Sequence, residues 1–196
     1  MLELDDDLLD HLATVRGQYI WCFLDAIAQA QARTEHEAGR VLVEGTLRTD
    51  DRALGHLIDI FEVGVDGKVQ PIHVIHRSFS PWREVSYPLG LATLLVSEVV
   101  WFAVELVVEP TPDIASLQAW FEHWQTDGFA VEHPLGGRVH FLAIERREGG
   151  SAALALDLGS APVEALRDLI DRCVESGARK LHLHSVPAAL AGTSPA

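Results

Sequence analysis

The chain has 196 residues and 48% of them are apolar, so it is long enough and apolar enough to bury a hydrophobic core. Its 29 acidic residues outnumber its 15 basic ones, which gives a formal net charge of −14 at pH 7. This balance disfavours a nucleic-acid-binding protein, whose affinity depends on clustered Lys and Arg side chains that neutralise phosphates.

The first predicted element is a long helix over residues 5–34. Apolar residues recur there at alternating spacings of four and three, which is typical of a helix with one apolar seam. The seam consists of Leu8, Leu12, Val15, Tyr19, Cys22 and Ala26. Between Tyr19 and Ala28 the apolar face widens, and Asp25 is the only charged residue. We therefore expect this helix to be covered either by the rest of the chain or by a second copy in a homodimer.

The following segments predict a small antiparallel sheet. Residues 40–47 and 56–65 alternate like strands, and Asp66-Gly67 is typical of a tight hairpin turn that leads into a third strand over residues 68–77. A short apolar helix is then expected between Gly90 and Ser97. Residues 1–97 are thus predicted to form an N-terminal subdomain of a long helix and an antiparallel hairpin.

The second half has the predicted element order β-α-β-β-α-β. Strands are expected over residues 99–109, 138–147, 151–158 and 180–185, with one helix over 112–126 and another between Pro162 and Ser176. This order is the split βαβ pattern of ferredoxin-like folds. We therefore predict an α+β fold, with a ferredoxin-like subdomain at residues 98–186 and a mobile tail at residues 187–196.

One face of this predicted sheet gathers histidines and carboxylates. Strand alternation leaves His182 and His184 on the face opposite the helices, and it places Glu105 and Glu109 on the same face. Because the first and last strands are neighbours in this topology, these side chains would share a surface, with Asp157 as a further candidate.

Two interpretations of this face stay open. In the first, it belongs to an enzyme whose site lies in a cleft between the two halves. His182, His184 and Glu105 would then act as acid/base groups, or these three and Asp157 would bind a divalent transition metal. In the second, the face is a solvated or interdomain surface whose side chains form ordinary cross-strand pairs.

An acidic window forms a separate candidate surface. No Lys or Arg occurs between Arg83 and Arg138. The candidate acidic face in this window consists of Glu109, Asp113, Glu122, Asp127 and Glu132. Such a surface speeds and orients association with a basic protein, although negative charge also serves solubility alone.

Other reactive side chains are predicted to have structural roles. His73 and His76 lie three apart in a predicted strand and therefore face opposite sides, which disfavours a metal site. Cys22 and Cys173 lie in predicted helix interiors, where a thiol is a small buried apolar group rather than a nucleophile. His140 lies apart from any matching carboxylate pattern.

Compartment and function follow from these features. The acidic segment Met1–Asp7 lacks the positive charge of a secretory signal, and Glu98 and Glu105 disfavour a membrane span over residues 89–108. Few cysteines indicate the reducing cytoplasm, and the preference for Arg over Lys indicates a GC-rich genome, which we expect to be bacterial. The leading interpretation is a non-catalytic protein that binds a basic partner, as an inhibitor, a chaperone or an immunity-like protein. The alternative is the enzyme described above.

Overall fold

A computed structural model describes residues 5–48, 56–74, 83–126 and 135–185. Nine strands and three α-helices lie in these ranges, and they confirm the predicted α+β class. The helices are α1 (Asp6–Glu37), α2 (Ile114–Thr126) and α3 (Val163–Glu175). The strands are β1 (Arg40–Arg48), β2 (His56–Val63), β3 (Val69–Pro71), β4 (Val85–Leu89), β5 (Ala92–Val96), β6 (Val104–Glu109), β7 (Phe141–Arg147), β8 (Ser151–Asp157) and β9 (Lys180–Ser185).

Helix α1 buries the seam that its sequence predicts. The Asp5 carboxylate caps its start by accepting a hydrogen bond from the Asp7 amide at 2.9 Å, and Ala38 ends it in a left-handed conformation. Leu8, Leu12 and Tyr19 belong to the same core cluster as the leucines of the large sheet. The seam therefore finds its cover within the chain.

The strands form two sheets. The N-terminal sheet is antiparallel, in the order β1-β2-β3. The larger sheet has the order β4-β5-β9-β6-β8-β7, and its strands β9-β6-β8-β7 have the arrangement expected of the ferredoxin-like βαββαβ pattern. The β4–β5 hairpin extends this sheet, because β5 pairs in parallel with β9.

Helices α2 and α3 cover the leucine-rich face of the larger sheet. Val104, Leu106 and Val108 of β6 are fully buried there, as are Leu154 of β8 and Leu183 of β9. Between the helices, the fully buried Trp120 of α2 donates its indole N–H to the Ala165 carbonyl at 2.9 Å. Helix α3 also contacts α1, whose Arg16 donates to the carbonyl oxygens of Ser160 and Ala161. The three helices thus form one contiguous layer.

Several predicted element bounds are wrong. Residues 92–96 form β5 and not a helix; the buried Ala92, Leu94 and Val96 alternate with less buried residues, and Gly90 makes the hairpin turn with a φ of 63°. The periodicity of so short an apolar run is compatible with a helix and with a strand. Here the hydrogen-bonded pairing with β9 makes it a strand.

Three predicted strands are shorter than expected. The strand expected from residue 99 begins at Val104, after a turn in which the Ala103 amide donates to the Val100 carbonyl. The strand expected from residue 138 begins at Phe141. The third strand of the N-terminal sheet spans Val69–Pro71, and residues 75–82 and 186–196 lie outside the described ranges. None of the described helices is long and apolar enough to cross a membrane.

Candidate functional site

The open face of the larger sheet brings the predicted histidines and Glu105 together. Strands β6 and β9 are antiparallel neighbours, with Glu105 opposite His184 and Val107 opposite His182. On the same strands, Glu109 lies opposite Lys180. The alternation that buries Leu181 and Leu183 against the helices thus leaves both histidines on the other face, where they are partly exposed.

Glu105 is held by two donors on this face. Its Oε1 atom lies 3.2 Å from Nε2 of His184, and it accepts a hydrogen bond from Nη2 of Arg147 at 2.9 Å. Arg147 comes from β7, so its side chain reaches across β8 toward Glu105. Two neighbouring side chains, one imidazole and one guanidinium, thus fix the position of this carboxylate.

His182 belongs to a second set of contacts. Its Nε2 atom lies 2.9 Å from Oγ of Ser97, which also donates to Oε2 of Glu84 at 3.1 Å. The rings of His182 and His184 are 4.6 Å apart. Burial lowers the pKa of His182, and neighbouring His184 lowers it further. His182 is therefore predominantly neutral at pH 7.

The predicted metal set does not assemble. Asp157 contacts His140 and not His182 or His184, because its Oδ2 atom lies 3.9 Å from Nδ1 of His140. Across the part of the chain that the structure describes, no group of three or more His, Cys, Asp and Glu side chains is arranged to hold a metal ion.

One cavity between the two halves of the chain is lined by other residues than the predicted ones. A cavity of about 350 Å³ lies between α1 and the start of α3, lined by residues that include Arg16, Glu164 and Arg167. None of His182, His184 and Glu105 lines it.

A buried polar cluster, not predicted from the sequence, joins the N-terminal sheet to the larger one. His140 is fully buried, and its Nε2 atom lies 3.2 Å from Oε1 of Glu44 in β1. The same carboxylate accepts hydrogen bonds from the Ser160 hydroxyl and the Gly136 amide. We call Glu44, Asp59, His140, Asp157 and Ser160 the inter-sheet cluster. Its members come from both halves of the chain.

Two local backbone features make the inter-sheet cluster fit. Glu44 has a φ of 48°, and it lies where the pairing of β1 with β2 shifts between Leu42 and Gly45. A left-handed conformation is uncommon for a residue with a side chain and here turns Glu44 toward His140. Gly159 leaves room for the imidazole, because a Cβ atom at that position would collide with Cδ2 of His140.

The three carboxyl groups of the inter-sheet cluster surround the imidazole of His140. Burial lowers the pKa of His140, but its hydrogen bond with Glu44 and the charges of Asp157, Glu44 and Asp59 raise it overall. Burial raises the pKa of Asp157 to about 6, against an opposing effect of His140. Burial also raises the pKa of Asp59. For Glu44, hydrogen bonds from His140 and Ser160 outweigh burial and lower the pKa.

The structure describes three of the five acidic candidates. Asp113 and Glu122 are exposed at the start of α2 and along it, in the helical layer. Glu109 is exposed at the end of β6, where its Oε2 atom is 3.4 Å from Nζ of Lys180. Asp127 and Glu132 lie outside the described residues.

The remaining reactive residues are placed as follows. Cys22 and Cys173 are buried free thiols, and burial raises the pKa of Cys173 to about 12, so it is no nucleophile at neutral pH. His73 is exposed just after β3, whereas His76 lies outside the described residues. Neither the family models, nor the curated proteins, nor the solved structures with which this chain was compared match it.

Proposed function

We propose that this protein acts without catalysis by binding a basic protein partner through its helical layer, in the manner of an inhibitor, a chaperone or an immunity-like antagonist. The observation that carries the proposal is the charge of that layer. Helices α1, α2 and α3 together hold eleven Asp and Glu residues against four Arg and no Lys. An acidic surface of this kind attracts and orients a basic protein during association.

Two of the acidic candidates, Asp113 and Glu122, belong to this layer and are exposed. The start of α1 adds a further group, since Asp6, Asp7 and Asp10 are exposed within its first turns. The negative charges at the start of α1 act on a neighbouring group. Burial raises the pKa of Tyr87, and the charges of Asp5 and Asp7 raise it further. The layer therefore offers carboxylates on separate helices to one extended partner.

Charge reversal tests this proposal. Binding to a panel of basic proteins and to neutral proteins of matched size is measured by calorimetry at low and high salt. Glu122→Lys is compared with Glu148→Lys, which makes the same change of charge at an exposed turn of the larger sheet.

We expect a saturable complex with a basic protein that weakens as salt rises, and that Glu122→Lys weakens roughly tenfold while Glu148→Lys changes it less than about twofold. Equal effects of the two variants would indicate unspecific attraction and refute a binding surface on the helices. Absence of binding to every basic protein in the panel at low salt would also count against it.

The alternative is an acid/base enzyme on the open sheet face, and one contact favours it. A hydroxyl 2.9 Å from a neutral imidazole, as in Ser97 and His182, is the spacing of a nucleophile and its base. In the structure the Ser97 hydroxyl donates its hydrogen bond to Glu84. To act as a nucleophile, it would have to turn so that the His182 imidazole could accept the proton. A fluorophosphonate probe that labels the protein at Ser97, and not the Ser97→Ala or His182→Gln variants, would support the enzyme. No labelling at a large excess of probe would eliminate a nucleophilic Ser97.

We propose the bacterial cytoplasm as the setting, which is consistent with the free thiols of Cys22 and Cys173. The expected homodimer, if it used the seam Leu8–Ala26, would need a surface that the fold has already covered. Self-association through α1 would therefore have to use another face of the helix.

A further inference from the structure

The cavity between α1 and the start of α3 has both charged and apolar walls. Its volume of about 350 Å³ falls within the range of small-molecule sites in proteins. Each helix contributes one arginine and one carboxylate to the walls: Asp10 and Arg16 from α1, Glu164 and Arg167 from α3. The four charges cancel, although the chain as a whole has a net charge of −14.

Among the described residues, Arg16 has no carboxylate partner. Its guanidinium donates to the carbonyl oxygen of Ala161 at 2.7 Å and to that of Ser160 at 2.9 Å, and both acceptors are neutral. The salt bridges of the described residues do not include Arg16. Burial lowers the pKa of Arg16 because its charge is partly desolvated, whereas the charge of Glu164 raises it. An anionic acceptor in the cavity would give this guanidinium the counter-ion that its surroundings lack.

The arginines and the carboxylates of the cavity differ in their exposure. Arg16 and Arg167 are partly buried, whereas Asp10 and Glu164 are exposed. The carboxylates therefore lie nearer the mouth of the cavity than the arginines. A simple anion would be repelled by the carboxylates at the mouth, and a simple cation by the arginines. A small molecule that carries one charge of each sign matches both pairs.

We propose that this cavity binds the zwitterion of a free α-amino acid. The α-carboxylate of the ligand accepts hydrogen bonds from Arg16, and Arg167 supplies a second positive charge. The ammonium group faces Asp10 and Glu164 at the mouth. Both charges of the ligand are then compensated by charges that line the cavity.

The uncharged part of the cavity wall favours an apolar side chain on the ligand. Leu9 and Val163 line the cavity, and both are partly exposed to solvent. An apolar side chain that covers them removes apolar surface from water, which a polar side chain would not do without losing hydrogen bonds. The site is distinct from Asp113 and Glu122, which the proposed partner surface uses, and neither of them lines the cavity.

Thermal unfolding in the presence of free amino acids tests the site. L-Alanine, L-valine, L-leucine, L-methionine and L-phenylalanine are each added up to about 20 mM, together with analogues that lack one charge. For L-leucine these analogues are 4-methylpentanoate and 3-methylbutylamine. We expect at least one of the five amino acids to raise the unfolding midpoint in a saturable way. Its dissociation constant, measured by calorimetry, should be at least about tenfold lower than that of either analogue.

Two outcomes of this screen would overturn the proposal. If none of the five amino acids shifted the midpoint, the cavity would not be an amino-acid site. If an analogue with a single charge bound as tightly as the amino acid, recognition of a zwitterion would be wrong.

A pair of tryptophan variants tests the location. Ala13 is exposed and lines the cavity, so Ala13→Trp should occlude the site and raise the dissociation constant at least about 30-fold. Ala28→Trp makes the same change at an exposed position of α1 outside the cavity and should leave binding unchanged. Unchanged binding by Ala13→Trp would place the ligand elsewhere and overturn the site.

A pair of double variants tests the charges at the mouth. Asp10→Asn/Glu164→Gln should weaken binding of the amino acid about tenfold and abolish its preference over the carboxylic acid analogue. Asp25→Asn/Glu175→Gln removes the same charge from exposed positions of α1 and α3 outside the cavity and should keep that preference. Equal losses in the two variants would overturn the assigned ammonium contacts. No basic protein takes part in this test, so its failure is distinguishable from failure of the proposed partner binding.

Discussion

Replacement of Asp157 by Asn is expected to stabilise the protein at neutral pH and to have little effect in acid. The native pKa of this carboxyl is raised from 3.8 to about 6, mainly by burial. Because the native state then binds the proton more tightly than the unfolded chain, this group's contribution to stability is complete below pH 3.8. It is lost as the pH rises through about 6.

The magnitude follows from the size of the shift. A change from 3.8 to about 6 corresponds to at most about 3 kcal/mol between the protonated and ionised forms in the folded state. The side chain is 24% exposed, so solvent removes little of this, and the value of about 6 already contains the attraction to His140. Asn stays neutral at every pH and keeps an oxygen for the Gly159 amide, which donates to Oδ1 of Asp157 at 2.8 Å.

Urea denaturation of both proteins between about pH 4 and pH 8 measures the effect. The free energy of unfolding of Asp157→Asn should match that of the wild type near pH 4 and exceed it by up to about 3 kcal/mol above pH 7. Glu148→Gln, an exposed control, should follow the wild-type profile. A difference between Asp157→Asn and wild type that is constant with pH, or that grows in acid, would refute the reasoning.

Three further substitutions test the packing of the fold by the same measurement. Glu44→Ala should cost about 3–5 kcal/mol, because it leaves the buried His140 and Ser160 without their shared acceptor, and a loss below about 1 kcal/mol would show that water replaces the carboxylate. Gly159→Ala should cost about 3 kcal/mol or more through its clash with the His140 ring, whereas Gly149→Ala, also at a positive φ but in open space, should cost only about 1 kcal/mol. Trp120→Phe should cost roughly 1–3 kcal/mol, since it removes the indole hydrogen bond to the Ala165 carbonyl and leaves space at a fully buried site; an unchanged midpoint would contradict that role.

Most of the fold follows from local patterns in the sequence. The alternation of leucines in β6, β8 and β9 assigns their buried faces, and the element order predicts which of these strands are neighbours. The sequence does not predict β5 as a strand, because its apolar run is too short to distinguish a strand from a helix by periodicity and its pairing partner β9 lies more than 80 residues away.

The open sheet face shows which side-chain contacts such sequence patterns can predict and which they cannot. Alternation and topology are enough to predict that Glu105 and His184 meet, because both lie on neighbouring strands of known direction. They do not predict Arg147 or Ser97, whose side chains reach residues that are not directly opposite them. Such diagonal contacts depend on side-chain conformation, which periodicity does not encode.

Sequence patterns do not predict the inter-sheet cluster, for a different reason. Glu44 lies in β1 and His140 directly before β7, 96 residues apart in sequence, so no local spacing relates them. The signal that does exist is a conflict: Glu44 directly follows the apolar run Val41-Leu42-Val43 in β1, and a buried carboxylate must find a partner. Among the described residues, Glu44 meets that need through His140, Ser160 and Gly136, so separating the two sheets would leave its carboxylate without these partners. The inter-sheet cluster therefore couples the N-terminal strands to the larger sheet more specifically than apolar packing alone would.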